Sequence, residues 1–305
     1  MIKPIVVVSK CLGFAKCRYD GSIIHDAFVE KLQKHVKFIK VCPEVEIGLG
    51  IPRDPIEIFL KNNKRHLVQP KTGKDLTQKM NNFSEKFLNK IKEVDGFILK
   101  YKSPSCGINS CPLYQGKKAA TRGNGFFADN VLKKFPDKAI EHEKRLTNFK
   151  IREHFLTKLF MLAKFRKVNN IKKLSEFHTN NRMLLMAYNQ KELRNLGHIV
   201  ANKKSIKEYK KCLLLALTKA PRFTSNINVL MHAYNHFSKK ISLKEKNFFH
   251  KLVKEYREAK IPLSAINILI QDWIIRFDDK YLAKQTFFEP YPEDLIEITD
   301  SGKGR

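Results

Sequence analysis

The sequence predicts an α/β domain with a mainly parallel, Rossmann-like sheet, followed by an all-α domain. Three observations lead there. Short β-branched runs alternate with amphipathic stretches through the first half. A helical period with almost no β-rich interruption fills the second half. Three cysteines fall at or just past the ends of three of the expected strands. Strands that alternate with helices pair in parallel, because each crossover helix returns the chain to the same end of the sheet.

The first strand is "PIVVVS" (4–9), a continuous apolar run of the kind that is buried on both faces. A helical pattern follows in "HDAFVEKLQKHV", with Phe28, Val29, Leu32 and Val36 on one stripe. "FIKVC" (38–42) is the second strand. "DLTQKMNNFSEKFLNKIKEV" repeats Met80, Phe83, Phe87, Ile91 and Val94 at helical spacing and leads into a third strand, "GFILK" (96–100). From about residue 145 the period is helical. "NVLMHAYNHF" sets Leu230, Ala233, Tyr234 and Phe237 on one face. "SLKEKNFFHKLVKEY" opens with a Ser242–Glu245 capping box and continues with Phe248, Phe249, Leu252, Val253 and Tyr256 as its apolar stripe. The boundaries read as an α/β domain over 1–155, a helical connector over 156–180, an all-α domain over 181–297 and a disordered tail over 298–305.

Composition narrows the class. The 305 residues are 43% hydrophobic, enough for a packed core. They carry 59 basic against 30 acidic side chains, a net charge of +29. Residues 1–150 hold 29 and 15 of these and the remainder 30 and 15, so the excess covers the whole chain. Such a field recruits polyanions, nucleic acid foremost; a lysine-rich background composition explains part of it. No signal peptide or membrane span is expected: "PIVVVS" is too short, and "IPLSAINILIQDWII" is broken by Gln271 and Asp272. A cytoplasmic protein is the expectation, and in that compartment six cysteines suggest metal or catalysis before disulfides.

The stretch "LKYKSPSCGINSCP" (99–112) crowds small residues and sulfur into one turn. Cys106 there follows the third strand, Cys11 follows the first by two residues, and Cys42 ends the second. Strand C-termini of a parallel sheet share one edge, where ligands bind. Zinc prefers paired ligands such as C-x-x-C, absent here. Thiolates also suit an iron–sulfur cluster, which three cysteines would leave with one open iron. Three small buried side chains are the alternative.

Four motifs, "SKCLGFAKCRYDG" (9–21), "CPEVEIGLGIPRDPIEI" (42–58), "GKDLTQ" (73–78) and "LKYKSPSCG" (99–107), together resemble the 2-thiouracil desulfidase family over roughly residues 3–160. The resemblance implies a [4Fe–4S] cluster held by Cys11, Cys42 and Cys106, with Glu44 and Ser103 as acid/base helpers. A thiocarbonyl sulfur would bind the open iron, and water would add to the carbon with Glu44 as general base and Ser103 relaying a proton. Cys17 is read as packing, Cys111 as structural and Cys212 as core; either of the first two as a fourth ligand would close the cluster.

In the helical half, Lys203, Lys204, Lys207, Lys210 and Lys211 read as one face opposite Ile206, Tyr209, Leu213, Ala216 and Leu217, with Arg222 extending the patch. A basic face over an apolar stripe suits phosphates; a solvated surface helix is the plainer reading. "NRMLLMAYN" (181–189), "NINVLMHAYNHFSKK" (226–240), "IPLSAINIL" (261–269) and "PYPEDL" (290–295) resemble the YbgA-like helical domain. The fusion resembles tRNA 4-thiouridine desulfidases, which implies thiolated tRNA as the partner. Two alternatives stand beside it: a desulfidase acting on free thiouracil, and a non-catalytic cluster-containing sensor that binds nucleic acid.

Overall fold

The computed structural model describes residues 2–62, 64–116 and 118–297; the expected tail over 298–305 lies outside the described residues. The chain divides into two compact units, Met1–Ala163 and Lys164–Ile298.

The first unit is built on β1 (Ile5–Ser9), α1 (Ala27–Leu32), β2 (Lys37–Val41), α2 (Pro43–Glu46), β3 (Glu57–Lys61), β4 (Lys64–Gln69), β5 (Lys74–Asp75), α3 (Thr77–Lys90), β6 (Gly96–Leu99), β7 (Cys111–Gln115), β8 (Lys118–Gly123), α4 (Phe126–Lys134) and β9 (Ala139–His142); α5 (Phe149–Phe165) runs to its boundary. One sheet has the order β2-β1-β6-β9 and every pair in it is parallel. Val6, Val7 and Val8 of β1 are fully buried, as are Phe97, Ile98 and Leu99 of β6. That burial accounts for their unbroken apolar reading. Helix α1 starts where Asp26 accepts a hydrogen bond from the Val29 amide, and it buries Phe28, Val29 and Leu32. Helix α3 buries Met80 and Leu88, and its Phe83 and Phe87 stack at 5.6 Å beside Phe127 of α4. It stops at Lys90, short of the expected Val94. The chain turns extended at Ile91, and the Asp95 amide pairs with the Ile5 carbonyl ahead of β6.

A second sheet goes beyond the sequence expectation. Its order is β5-β4-β3-β7-β8, with β3 and β7 parallel and the other pairs antiparallel. Between β7 and β8 the register shifts at Leu113/Tyr114. Its strands β3 and β4 are only partly buried, β8 is exposed, and all three carry charges, so they lack the apolar runs that mark the first sheet.

The second unit comprises α6 (Ile171–Asn180), α7 (Arg182–Tyr188), α8 (Gln190–Ala201), α9 (Ile206–Ala216), α10 (Phe223–Phe237), α11 (Leu243–Arg257) and α12 (Leu263–Arg276). Asn170, Asn189, Ser205 and Ser242 each cap a helix through the side chain, Ser242 within a full capping box with Glu245. The core of α10–α12 is aromatic: Tyr234 stacks on Phe249 at 4.7 Å, and Trp273 and Phe237 are buried beside them. On α11 the buried residues are Phe249 and Val253, whereas Phe248 is 49% exposed, so the apolar stripe is narrower than its spacing suggests. Cys212, expected in the core, is half-buried. No helix among the described residues is long and apolar enough to cross a membrane.

Candidate functional site

A cavity of about 350 Å³ opens at the C-terminal ends of β1, β2 and β6. Cys11, Cys17, Cys42 and Cys106 all line it. The first strand delivers Cys11 through a loop tied back by the Lys10 amide, which donates to the Val41 carbonyl at 2.8 Å, and by the Ile24 amide, which donates to the Cys11 carbonyl at 2.9 Å. Cys42 is the N-cap of α2, directly after β2. Cys106 sits in the turn after β6, where the Ser103 hydroxyl accepts from the Cys106 amide at 3.1 Å.

That turn is fixed by close packing. The amides of Phe126 and Ala128, at the start of α4, donate to the carbonyls of Pro104 and Ser105, each at 3.0 Å, and the Gly125 amide donates to the Gly107 carbonyl at 2.7 Å. A Cβ on Gly125 would lie 2.5 Å from the Ser105 backbone, and one on Gly107 would lie 2.8 Å from the Ser103 carbonyl. Only glycine fits at either place.

Cys17, expected to be a packing residue, is part of this site. It lines the cavity with Cys11, Cys42 and Cys106, and its carbonyl accepts from the Cys42 thiol at 3.6 Å. The hydrogen bond with Cys11, with burial adding to it, pushes the Cys17 thiol up to about 11. The Cys42 thiol is raised by its hydrogen bond with Cys17 and by burial. Burial pushes Cys106 to about 12. A coordinated metal reverses that preference, because it binds the thiolate and not the thiol. Cys111 opens β7, is buried and is not among the residues lining the cavity, which fits a structural role.

Glu44, on α2, meets three partners at the cavity. Its Oε1 accepts from the Ser105 hydroxyl at 2.6 Å and from the Ser103 hydroxyl at 3.3 Å, and the two hydroxyls are 3.0 Å apart. Its Oε2 accepts from Arg53 Nε at 3.0 Å and Nη2 at 2.8 Å. The pair is nearly enclosed, with Arg53 4% and Glu44 12% exposed at the side chain. Arg53 also donates from Nη1 and Nη2 to the Cys17 carbonyl, both at 3.1 Å. The structure thus brings Cys11, Cys42, Cys106, Glu44 and Ser103 together, and adds Cys17, Ser105 and Arg53. Ser105 is within reach of sequence reasoning through the same S-P-S-C turn. Arg53 lies in an irregular segment with no period to mark it.

The chemistry of the donor set decides whether the implied cluster fits. Among the described residues no group of three or more His, Cys, Asp or Glu is placed to hold a single metal ion. Four thiols line one cavity, however, and thiolate is the usual ligand of a multi-iron cluster. The residues fit the group.

The basic positions of the second unit sit as follows. Lys207, Lys210 and Lys211 lie on α9 and are exposed, with Tyr209, Leu213 and Ala216 buried on the other side. Lys203 and Lys204 are exposed but precede the helix; Lys203 has φ 49°, and Ser205 begins α9. The single helical face is therefore a helix plus its lead-in turn. Arg222 is at the N-cap of α10.

Comparison with known proteins places each half. Residues 6–143 match the family described as 2-thiouracil desulfurase, and residues 182–292 match a family described as protein of unknown function DUF1722. The uncharacterized protein YbbK of Bacillus subtilis is 35% identical over 129 residues, which is 39% of this chain and 85% of that protein. The uncharacterized protein YbgA of Escherichia coli is 26% identical over 136 residues, 42% of this chain and 80% of that protein. Among solved structures, the [4Fe-4S]-dependent thiouracil desulfidase TudS aligns with 28% identity over 47% of this chain and 93% of that one, at a TM-score of 0.39. Through its first unit the chain belongs to the 2-thiouracil desulfurase family, and a DUF1722 region follows.

Proposed function

We propose that the protein is an iron–sulfur desulfidase that hydrolyses 4-thiouridine in tRNA to uridine. The observation that carries the reading is a carboxylate and two hydroxyls, Glu44, Ser103 and Ser105, facing a cavity lined by thiols from three strand ends. Cys11, Cys42 and Cys106 would hold a [4Fe–4S] cluster. When bound, it supplies an iron with an open position, a Lewis acid that takes a thiocarbonyl sulfur and polarises its carbon.

The chain's own residues move the protons. Arg53 occupies Oε2 of Glu44, so the proton from water goes to Oε1 by way of the Ser103 and Ser105 hydroxyls that donate to it. The water oxygen bonds to the thiocarbonyl carbon as the C–S bond breaks. Ser103 and Ser105, hydrogen-bonded to each other and to Oε1, return protons to the departing sulfide. Water goes in, sulfide comes out, and no electron is gained or lost.

The choice of tRNA rests on the net charge of +29 and on the exposed lysines at and before α9, since folded RNA is recognised through shape and phosphate. The family description favours a second reading, free thiouracil as substrate. One experiment separates the two: anaerobic reconstitution, then incubation with thiolated tRNA and, in parallel, with thiouracil. Loss of the near-ultraviolet band of 4-thiouridine from tRNA is expected. Glu44→Gln should slow it by about 10²- to 10⁴-fold with iron content unchanged, and Cys11→Ala, Cys42→Ala and Cys106→Ala should lose iron and activity together. Full activity in all three cysteine variants overturns the cluster chemistry; turnover of thiouracil alone overturns the tRNA assignment. A Cys17→Ser protein that loses iron and activity to the same degree makes Cys17 a fourth ligand and overturns the open iron.

A further inference from the structure

The mouth of the cavity carries an aromatic ring that the reaction scheme leaves unused. Tyr19 lines the cavity and is 44% exposed. A tyrosine ring left in water at the rim of a site loses the burial that usually accounts for it. The backbone that carries it is nonetheless fixed. The Arg53 amide donates to the Tyr19 carbonyl at 2.8 Å, and the Gly21 amide donates to the Arg18 carbonyl at 3.0 Å. Asp20 Oδ1 accepts from the Ser22 amide at 3.0 Å and from its hydroxyl at 2.6 Å. Arg18 Nη1 donates to the Ser22 hydroxyl at 3.1 Å and holds its guanidinium 5.5 Å from the centre of the Tyr19 ring.

The second aromatic residue at the cavity, Tyr101, is packed against another ring, His142 at 4.9 Å, and like Tyr19 it has a cation beside it, the ammonium of Lys102 at 5.4 Å from its centre. Lys102 is exposed and held in a left-handed turn at φ 59°, with its amide donating to the Ser110 hydroxyl at 3.1 Å. Lys10 and Arg18 complete a cationic rim. A half-exposed ring with cations beside it is the combination that single-stranded nucleic acid binds: bases stack on the ring and the backbone phosphates meet the charges. A free base would engage the ring but leave the cations unused.

We propose that Tyr19 is a stacking platform for an unpaired pyrimidine nucleotide at the mouth of the cavity, with Arg18 and Lys102 taking the phosphates beside it. This rests on the desulfidase reading and narrows its substrate to a nucleotide presented outside a duplex. It makes Tyr19 a positioning residue, because it acts on the base and not on the reacting C–S bond.

The test uses the reconstituted holoprotein and a short single-stranded oligonucleotide containing one 4-thiouridine. Tyr19→Leu should raise KM, and the Kd for the uridine-containing product oligonucleotide, by roughly 5- to 150-fold, the range one stacked base provides. The turnover number and iron content should stay near those of the unmodified protein. Tyr19→Phe and Tyr19→Trp should bind as well as tyrosine does. Unchanged Kd in Tyr19→Leu, or a Tyr19→Phe protein as weak as Tyr19→Leu, overturns the platform. Arg18→Gln with Lys102→Gln should weaken the oligonucleotide and leave the KM for 4-thiouracil unchanged; equal effects on both overturn the phosphate contacts. If the unmodified protein ignores oligonucleotides altogether, the tRNA reading and the nucleotide part of this proposal both fall. The stacking claim is then decided on 4-thiouracil, where a KM equal in Tyr19→Leu and Tyr19→Phe overturns it.

Discussion

Arg53 ties together groups that the sequence keeps far apart. One guanidinium grips Glu44 and the Cys17 carbonyl, while the same residue's amide holds the Tyr19 carbonyl. Arg53 falls within the motif at 42–58, but no strand or helix period marks it there, and one arginine in a chain with 59 basic residues does not stand out by type. Cys17 is hidden for a related reason: its nearness to Cys11 and Cys42 is made by folding, whereas its neighbours in sequence mark only a turn. Cys11, Cys42 and Cys106 are legible because strand ends announce themselves. With Arg53 and Glu44 both nearly enclosed, removing one partner strands a charge in a poorly solvated place. Arg53→Met should therefore cost about 3–5 kcal/mol of stability, measured by denaturant titration. The double variant Arg53→Met with Glu44→Gln should lose less than the two single losses added together. Strictly additive losses would mean that the two side chains do not depend on each other.

At the scale of elements, the parallel sheet and the helices are readable and the second sheet is not. β1 and β6 are buried and therefore unbroken in hydrophobicity, and α10 and α11 bury faces at helical spacing. β3, β4 and β8 are partly or wholly exposed, and their pairing is set by partners distant in sequence, so their composition reads as loop. The turn that carries Cys106 shows how elements cooperate at the site, since α4 presents its first amides to that turn and leaves no room between them. Gly125→Ala should cost about 1–3 kcal/mol, because the added methyl meets backbone and not a movable side chain. Its iron content after reconstitution should fall as the turn is pushed away from α4. A variant with unchanged melting temperature and full iron loading would show that the fit there is slack.

At the scale of the molecule, charge is the dominant property, and it is legible from composition alone. It is shared by both units, so binding to a polyanion should be strongly salt-dependent. Replacing Lys207, Lys210 and Lys211 of α9 by Gln should weaken tRNA binding and flatten the slope of log K against log salt by about 0.9 for each phosphate no longer neutralised, read from titrations at several ionic strengths. An unaltered slope would put the RNA elsewhere on the protein. The same excess of cations bears on the outer strand β8, "KAATRG", which ends the second sheet. Its residues Lys118 to Arg122 are exposed, and its register with β7 slips at Leu113/Tyr114. An open strand border is where one chain can add to another and grow into a fibre, and a charged, irregular border resists that addition. The positive charge that would draw a polyanion thus also works, at Lys118 and Arg122, against strand addition at this border.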